Sequence, residues 1–198
     1  EPASRLTLLQ PPATLVAGEK ARQQAGLGKD IIDLGQSSPH HITPDHIIKA
    51  GVSALESGLT NISSSSGIPE FKQALAEKLQ TYNNLDIDAD KDVIVTPGSK
   101  MGLYESINAF VGPGDDVLII EPTWVSFKQQ VALAQGNAIT VPLSEEEEYM
   151  ITYDQLNNSI TDQCKMIVIN NPNNPTGRVY TKGELEDVAR VCQENDLL

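Results

Sequence analysis

Three short stretches gather residue types that do chemistry. In Thr96-Pro97-Gly98-Ser99-Lys100, a flexible glycine is followed by a hydroxyl and an ammonium. If this stretch opens a helix, its first-turn N–H groups and the macrodipole favour an anion by roughly 0.3–1 kcal/mol, and up to ~2 kcal/mol when partly buried. The side chains of Ser99 and Lys100 make phosphate the natural anion. The same residues also suit an ordinary strand–turn–helix, and the G-x-x-x-x-G-K-[ST] phosphate loop is absent. In Glu121-Pro122-Thr123-Trp124 stands the only tryptophan of the sequence. Its flat face either covers an aromatic ligand or plugs a gap between helix and sheet. The third stretch is Asn170-Asn171-Pro172-Asn173-Asn174-Pro175-Thr176-Gly177. Proline fixes φ and disfavours helix at the residue before it, so two Asn-Pro steps make a rigid, extended loop. Its amides offer donors and acceptors for precise contact with a polar ligand group.

Each stretch follows a short apolar run. Asp92–Thr96 (DVIVT), Val117–Ile120 (VLII) and Met166–Ile169 (MIVI) read as buried strands, with further strands at Ile31–Leu34 and Ile139–Leu143. Helices are expected at about residues 14–25, from Thr43-Pro44 to Gly58, from Pro69 through Phe71, Leu75 and Leu79, and at about 99–111, 123–135, 154–160 and 182–195. Thr43 can cap the second of these, with Pro44 at its first position. Gly136 is placed to stop the helix before it. Thr181 and Glu184 have the spacing of a capping box. Strands alternating with helices define an α/β fold: a mostly parallel sheet with helices on both faces. In such sheets ligands bind beyond the carboxyl ends of the strands, so the three stretches should face one edge. Residues 1–45 are expected to form an N-terminal arm and part of a small domain. Residues 46–198 are expected to form the N-terminal portion of a large domain. The last helix runs out at Asp196-Leu197-Leu198, where a further buried strand should begin, so a truncated chain is expected. Glu1 in place of methionine likewise suggests a processed or shortened start.

Composition narrows the partners. The 198 residues carry a net charge of -13, which argues against nucleic acid and anionic membranes. No uncharged apolar run approaches the ~20 residues that span a bilayer. Cys164 and Cys192 lie in segments that read as buried, outside any metal-spaced cluster, as reduced core thiols of a cytoplasmic protein. His40, His41 and His46 have no Cys or carboxylate at ligand spacing, so no metal site is expected. Glu145–Glu148 reads as a solvated loop, and Lys165 and Lys182 as surface residues.

Taken together and in order, Gly98-Ser99-Lys100, Pro122-Thr123-Trp124 and Asn174-Pro175-Thr176-Gly177 resemble the fold-type I aminotransferases (class I/II), especially their aspartate-aminotransferase-like branch. Gly67-Ile68-Pro69-Glu70 and Gly112-Pro113-Gly114-Asp115 support the match, which spans about residues 30–198. The resemblance implies pyridoxal 5'-phosphate as cofactor, with its phosphate on Gly98, Ser99 and Lys100. It implies that Trp124 stacks on the pyridine ring and that Asn174 donates to the phenolic oxygen. Gly35, Trp124 and Asn174 would face the substrate, and the bonds before Pro122 and Pro175 are candidates for cis peptides. Two positions depart from the family pattern. Ile62, followed by four serines, stands where a tyrosine commonly reaches a partner subunit's phosphate. Gln36-Ser37-Ser38-Pro39-His40-His41 replaces the usual acidic form.

The implied reaction moves an amino group between an amino acid and a 2-oxo acid, in a homodimer. The family's Schiff-base lysine is expected after Leu198, so no catalytic residue is assigned within the chain, and the chain alone is expected to be inactive. A C–S lyase of the same fold, or a non-catalytic ligand-binding domain, would show the same strand-end motifs.

Overall fold

Val117, Leu118, Ile119 and Ile120 offer almost no surface to water: all are buried on strand β1 (Asp116–Glu121). β1 lies between β2 (Asn137–Pro142) and β3 (Cys164–Val168), and both neighbours run parallel to it. Side chains alternate across a strand, so a central strand apolar on both faces needs cover on both. The molecule supplies it. Leu118 and Ile120 enter one core with Leu156, Val188 and Val191. These last three come from α6 (Tyr153–Asn157) and α7 (Lys182–Asn195). Val117 and Ile119 enter a second core with Ile107, Phe127 and Val131. That core is roofed by α4 (Ser99–Phe110) and α5 (Ser126–Leu133). The expected α/β sandwich is therefore present. Each fully buried Val, Leu or Ile contributes about 1.5–3 kcal/mol to it.

The computed structural model describes residues 3–9, 13–34, 40–61 and 63–198. The chain divides into two compact units, Glu1–Glu19 with Leu103–Leu198, and Lys20–Gly102. The first holds the sheet. Leu198 accepts from the Ile167 N–H at 2.9 Å and donates to the Lys165 carbonyl at 3.0 Å. Those bonds make a first parallel rung on β3, where the sequence suggested a further strand. Turn chemistry closes the elements. Gln135 takes the left-handed conformation after α5 (φ 65°). Gly136 serves a different purpose from the stop expected of it: a Cβ there would lie 2.5 Å from Val111 Cγ1 and 3.1 Å from the Asp115 carbonyl. It is small so that the chain can pass closely under the second core.

The second unit contains α2 (Asp45–Glu56), α3 (Pro69–Asn83) and the second half of α1 (Ala13–Gly26). Pro69 starts α3 as expected. Pro44, not Thr43, is the N-cap of α2, and no side chain caps it. Two expected strands do not form. Ile31–Leu34 has no ladder, and Ile32 and Leu34 are exposed. Asp92–Thr96 likewise has no ladder; Val95 donates one bond to the Ser66 carbonyl at 2.9 Å, and Ile94 is exposed. An apolar run becomes a strand only when a neighbour pairs with its backbone, and neither run has one among the described residues. α5 and α6 are also shorter than expected, because the residues before Ser126 and after Asn157 turn instead.

Several surface readings hold. Glu145–Glu148 is an exposed turn. Lys165 pairs with Asp115 at 3.0 Å and Lys182 with Glu186 at 3.5 Å, both lysines well exposed. Cys164 and Cys192 are free but only half-buried, because each sits at the margin of its core. Burial pushes the Cys192 thiol up from its ordinary value. Among the described residues no helix is long and apolar enough to cross a membrane, and no group of His, Cys, Asp and Glu could hold a metal ion.

Candidate cofactor site at the sheet edge

β1 and β3 are adjacent and parallel, so the loops that leave their carboxyl ends emerge on one edge. One loop carries Trp124 and the other carries Asn174. The bonds before Pro122 and Pro175 are cis, as the resemblance implied, and the bond before Pro172 is cis as well.

The side chain of Asn173 links the two loops. Asn173 is 6% exposed. Its Nδ2 donates to the Pro122 carbonyl at 2.9 Å and to Thr176 Oγ1 at 2.8 Å. Its backbone closes the turn around them: the Asn173 N–H donates to the Arg178 carbonyl, and the Gly177 N–H to the Asn173 carbonyl, each at 2.8 Å. The other asparagines hold the chain on either side. Asn170 Oδ1 accepts from the Asn174 N–H, and Asn171 Oδ1 from the Tyr180 N–H, both at 3.0 Å. Asn174 itself is exposed, and its side-chain amide makes no hydrogen bond among the described residues. Trp124 is half-buried, and its ring meets Phe127 nearly perpendicularly, with centroids 5.6 Å apart. Phe127 belongs to the second core, so the indole is tied to a rigid body.

Beyond the loop, Arg178 and Glu184 form its base. Arg178 NH2 donates to both Glu184 oxygens at 3.0 and 3.1 Å. Glu184 Oε2 also accepts from the Thr181 N–H at 2.8 Å and the Thr181 hydroxyl at 2.7 Å, and Oε1 from the Ile151 N–H at 3.0 Å. Burial alone would raise this carboxyl. The bonds from Thr181 and Ile151 and the Arg178 charge outweigh burial and hold it below the usual carboxylate range. The expected capping box is thus present, and it carries more than a cap.

Gly98, Ser99 and Lys100 are described with the second unit. Gly98 adopts φ 89°, a conformation that side chains rarely take, and open space lies where its Cβ would be. Its carbonyl accepts from the N–H groups of Met101 at 3.2 Å and Gly102 at 3.4 Å, and from the Thr96 hydroxyl at 3.0 Å. Ser99 starts α4, where N–H groups lack intrahelical acceptors. Ser99 and Lys100 are exposed. Gly35 and Ile62 lie outside the described residues, as do residues 36–39. The expected convergence is therefore seen for the Trp124 and Asn174 loops. Sequence reasoning singled out Asn174 but passed over Asn173 beside it. Residue type cannot tell the two apart; burial does. Arg178 left no sequence signal, since its role depends on a carboxylate that the helix cap brings to it.

The family model for aminotransferase class I and II matches residues 29–198. Over 196 residues the chain is 40% identical to an aspartate aminotransferase of Bacillus sp. (strain YM-2), covering 99% of this chain and 50% of that protein. It is 37% identical to a probable aspartate/prephenate aminotransferase of Aquifex aeolicus, covering 98% of this chain and 49% of that protein. The structure of the aspartate aminotransferase from Thermus thermophilus with maleate superposes with a TM-score of 0.95 at 36% identity, covering all of this chain and 51% of that one. The chain belongs to the class I and II aminotransferases. It spans about half the length of the curated relatives it matches.

Proposed function

We propose that the protein containing this chain is a pyridoxal-phosphate-dependent aminotransferase that moves an amino group between an amino acid and a 2-oxo acid. The observation that carries this reading is the pair of loops joined at the carboxyl edge of β1 and β3, with Trp124 on one and the uncommitted amide of Asn174 on the other. The donor set fits the cofactor. An aromatic face suits a pyridine ring, and an amide donor suits a phenolate oxygen. A helix start with a left-handed glycine, a hydroxyl and an ammonium suits a phosphate, so Gly98, Ser99 and Lys100 are its proposed holders. When bound, pyridoxal phosphate supplies the electron sink for breaking bonds at the amino acid's α-carbon. The chain's own residues do the rest. Trp124 orients the ring and excludes water from one face. Asn174 holds charge on the phenolic oxygen, and Trp124, Asn174 and Gly35 face the substrate.

The relatives' names make aspartate the first amino-acid donor to test. Full-length protein, incubated with aspartate and a 2-oxo acid, should yield the new amino acid and the new oxo acid in equal amounts. Ammonia release without a new amino acid would instead point to elimination. Asn174→Ala should raise the pH at which the bound cofactor's visible band changes, because a donor to the charged oxygen is lost. An unchanged titration would remove Asn174 from its assigned place. A homodimer in the cytoplasm is the setting proposed for the whole protein.

A further inference from the structure

We propose that Asn173 is a positioning residue for the cofactor's ring, setting the Trp124 loop and Asn174 together rather than touching the cofactor itself. This rests on the pyridoxal-phosphate reading above. Pro122 presents a carbonyl, which only accepts, so the atom of residue 173 facing it must be a donor. The two hydrogens of a primary amide then serve two partners at once, Pro122 on the loop after β1 and Thr176 on the loop after β3. Thr176 Oγ1 also accepts from the Arg178 N–H at 3.2 Å. A line of hydrogen bonds therefore runs from the tryptophan loop, through the buried amide, to the residue clasped by Glu184.

Position in the chain makes the coupling tight. Pro122 is two residues before Trp124, and Asn173 immediately precedes Asn174. Neither pair has a flexible segment that could absorb a shift. In a buried site the loss of the donor leaves the Pro122 carbonyl without its partner, which costs about the desolvation of that group. Asp at 173 keeps the shape but turns a carboxylate oxygen toward that carbonyl. Both substitutions should let the two loops part, moving the aromatic face and the phenolate donor relative to each other.

The test is an equilibrium titration of full-length, cofactor-free protein with pyridoxal phosphate, followed by a pH titration of the bound cofactor's visible band. Asn173→Ala and Asn173→Asp should each weaken binding about tenfold, the scale of one lost buried hydrogen bond, and should displace the band's pH midpoint upward as Asn174→Ala does. Thr176→Val should move both readouts in the same direction, whereas Thr176→Ser, which keeps the acceptor, should restore wild-type values. Val191→Ala, a core substitution remote from the loops, controls for lost stability and should leave the midpoint in place. If the Asn173 variants fail to fold, the Thr176 pair decides. Wild-type protein that binds no pyridoxal phosphate would overturn the functional reading and this inference with it. Wild-type binding with unchanged affinity and midpoint in the variants would overturn the inference alone.

Discussion

The two compact units put their apolar residues to different ends. In the unit of β1–β3, Val117, Ile119, Val131, Leu118, Leu156 and Val191 are wholly enclosed. In the unit of α2 and α3, the helix α2 buries none of its residues, and Ile47, Ile48, Val52 and Leu55 are all exposed. Both stretches have the periodicity of structure with a face to hide. The difference is whether other described segments pair with the run and cover it. β1 finds a parallel neighbour on each side and helices above and below, so its pattern is fulfilled within the chain. Asp92–Thr96 forms no ladder among the described residues, only isolated bonds such as that from Val95 to the Ser66 carbonyl, and its pattern is not.

The largest expected effect comes from the enclosed unit. Leu156→Ala should cost about 2–5 kcal/mol, read as a lower denaturant midpoint, since the side chain has no surface exposed. A loss below about 1 kcal/mol would mean that this core can collapse around the gap. Next is Glu184→Ala, which strands Arg178 beside a vacated site and should cost about 2–4 kcal/mol. The pH dependence has a definite sign. Glu184 is held below its ordinary range, so it binds fewer protons in the folded state than in the unfolded one. Its contribution is fully present above the unfolded carboxylate range and is lost as pH falls through the folded value. Glu184→Gln should therefore flatten the acid limb of stability, measured as the denaturation midpoint between about pH 7 and 3. An acid limb as steep as wild type would show that other carboxylates set it.

Thr181→Ala removes the hydroxyl that accepts from the Glu184 N–H at 3.3 Å and should cost about 1 kcal/mol of thermal stability. The smallest effect belongs to the open unit. In the 198-residue chain, Leu55→Ala should change stability by no more than about 0.5 kcal/mol, because its side chain is already in water. A loss of the Leu156 size in the full-length protein would show that the face of α2 is covered there, and would sharpen the contrast rather than remove it.

This contrast also explains what could be read in the sequence. VLII and MIVI pointed to β1 and β3 because a short, continuously apolar run suits a strand covered on both faces. The capping box at Thr181 and Glu184 was legible because it needs only residues three apart. Ile31–Leu34 looked the same as those strands, but a strand is a pairing, and a pairing is not written in one segment. At the site, the rigid Asn-Pro loop and the lone tryptophan stood out by composition. The separate tasks of Asn173 and Asn174 did not, since identical side chains differ only in what surrounds them. Arg178 was invisible for the same reason: its partner reaches it through tertiary contact.

The division between these neighbouring asparagines is the centre of the account, and a structure of the full-length protein with pyridoxal phosphate bound tests it most directly. The predicted result is Asn174 Nδ2 within hydrogen-bond distance of the phenolic oxygen and the Trp124 ring on the pyridine, with Asn173 Nδ2 still on the Pro122 carbonyl and clear of the cofactor. Asn173 turned onto the cofactor with Pro122 released, or a ring bound away from both loops, would contradict it.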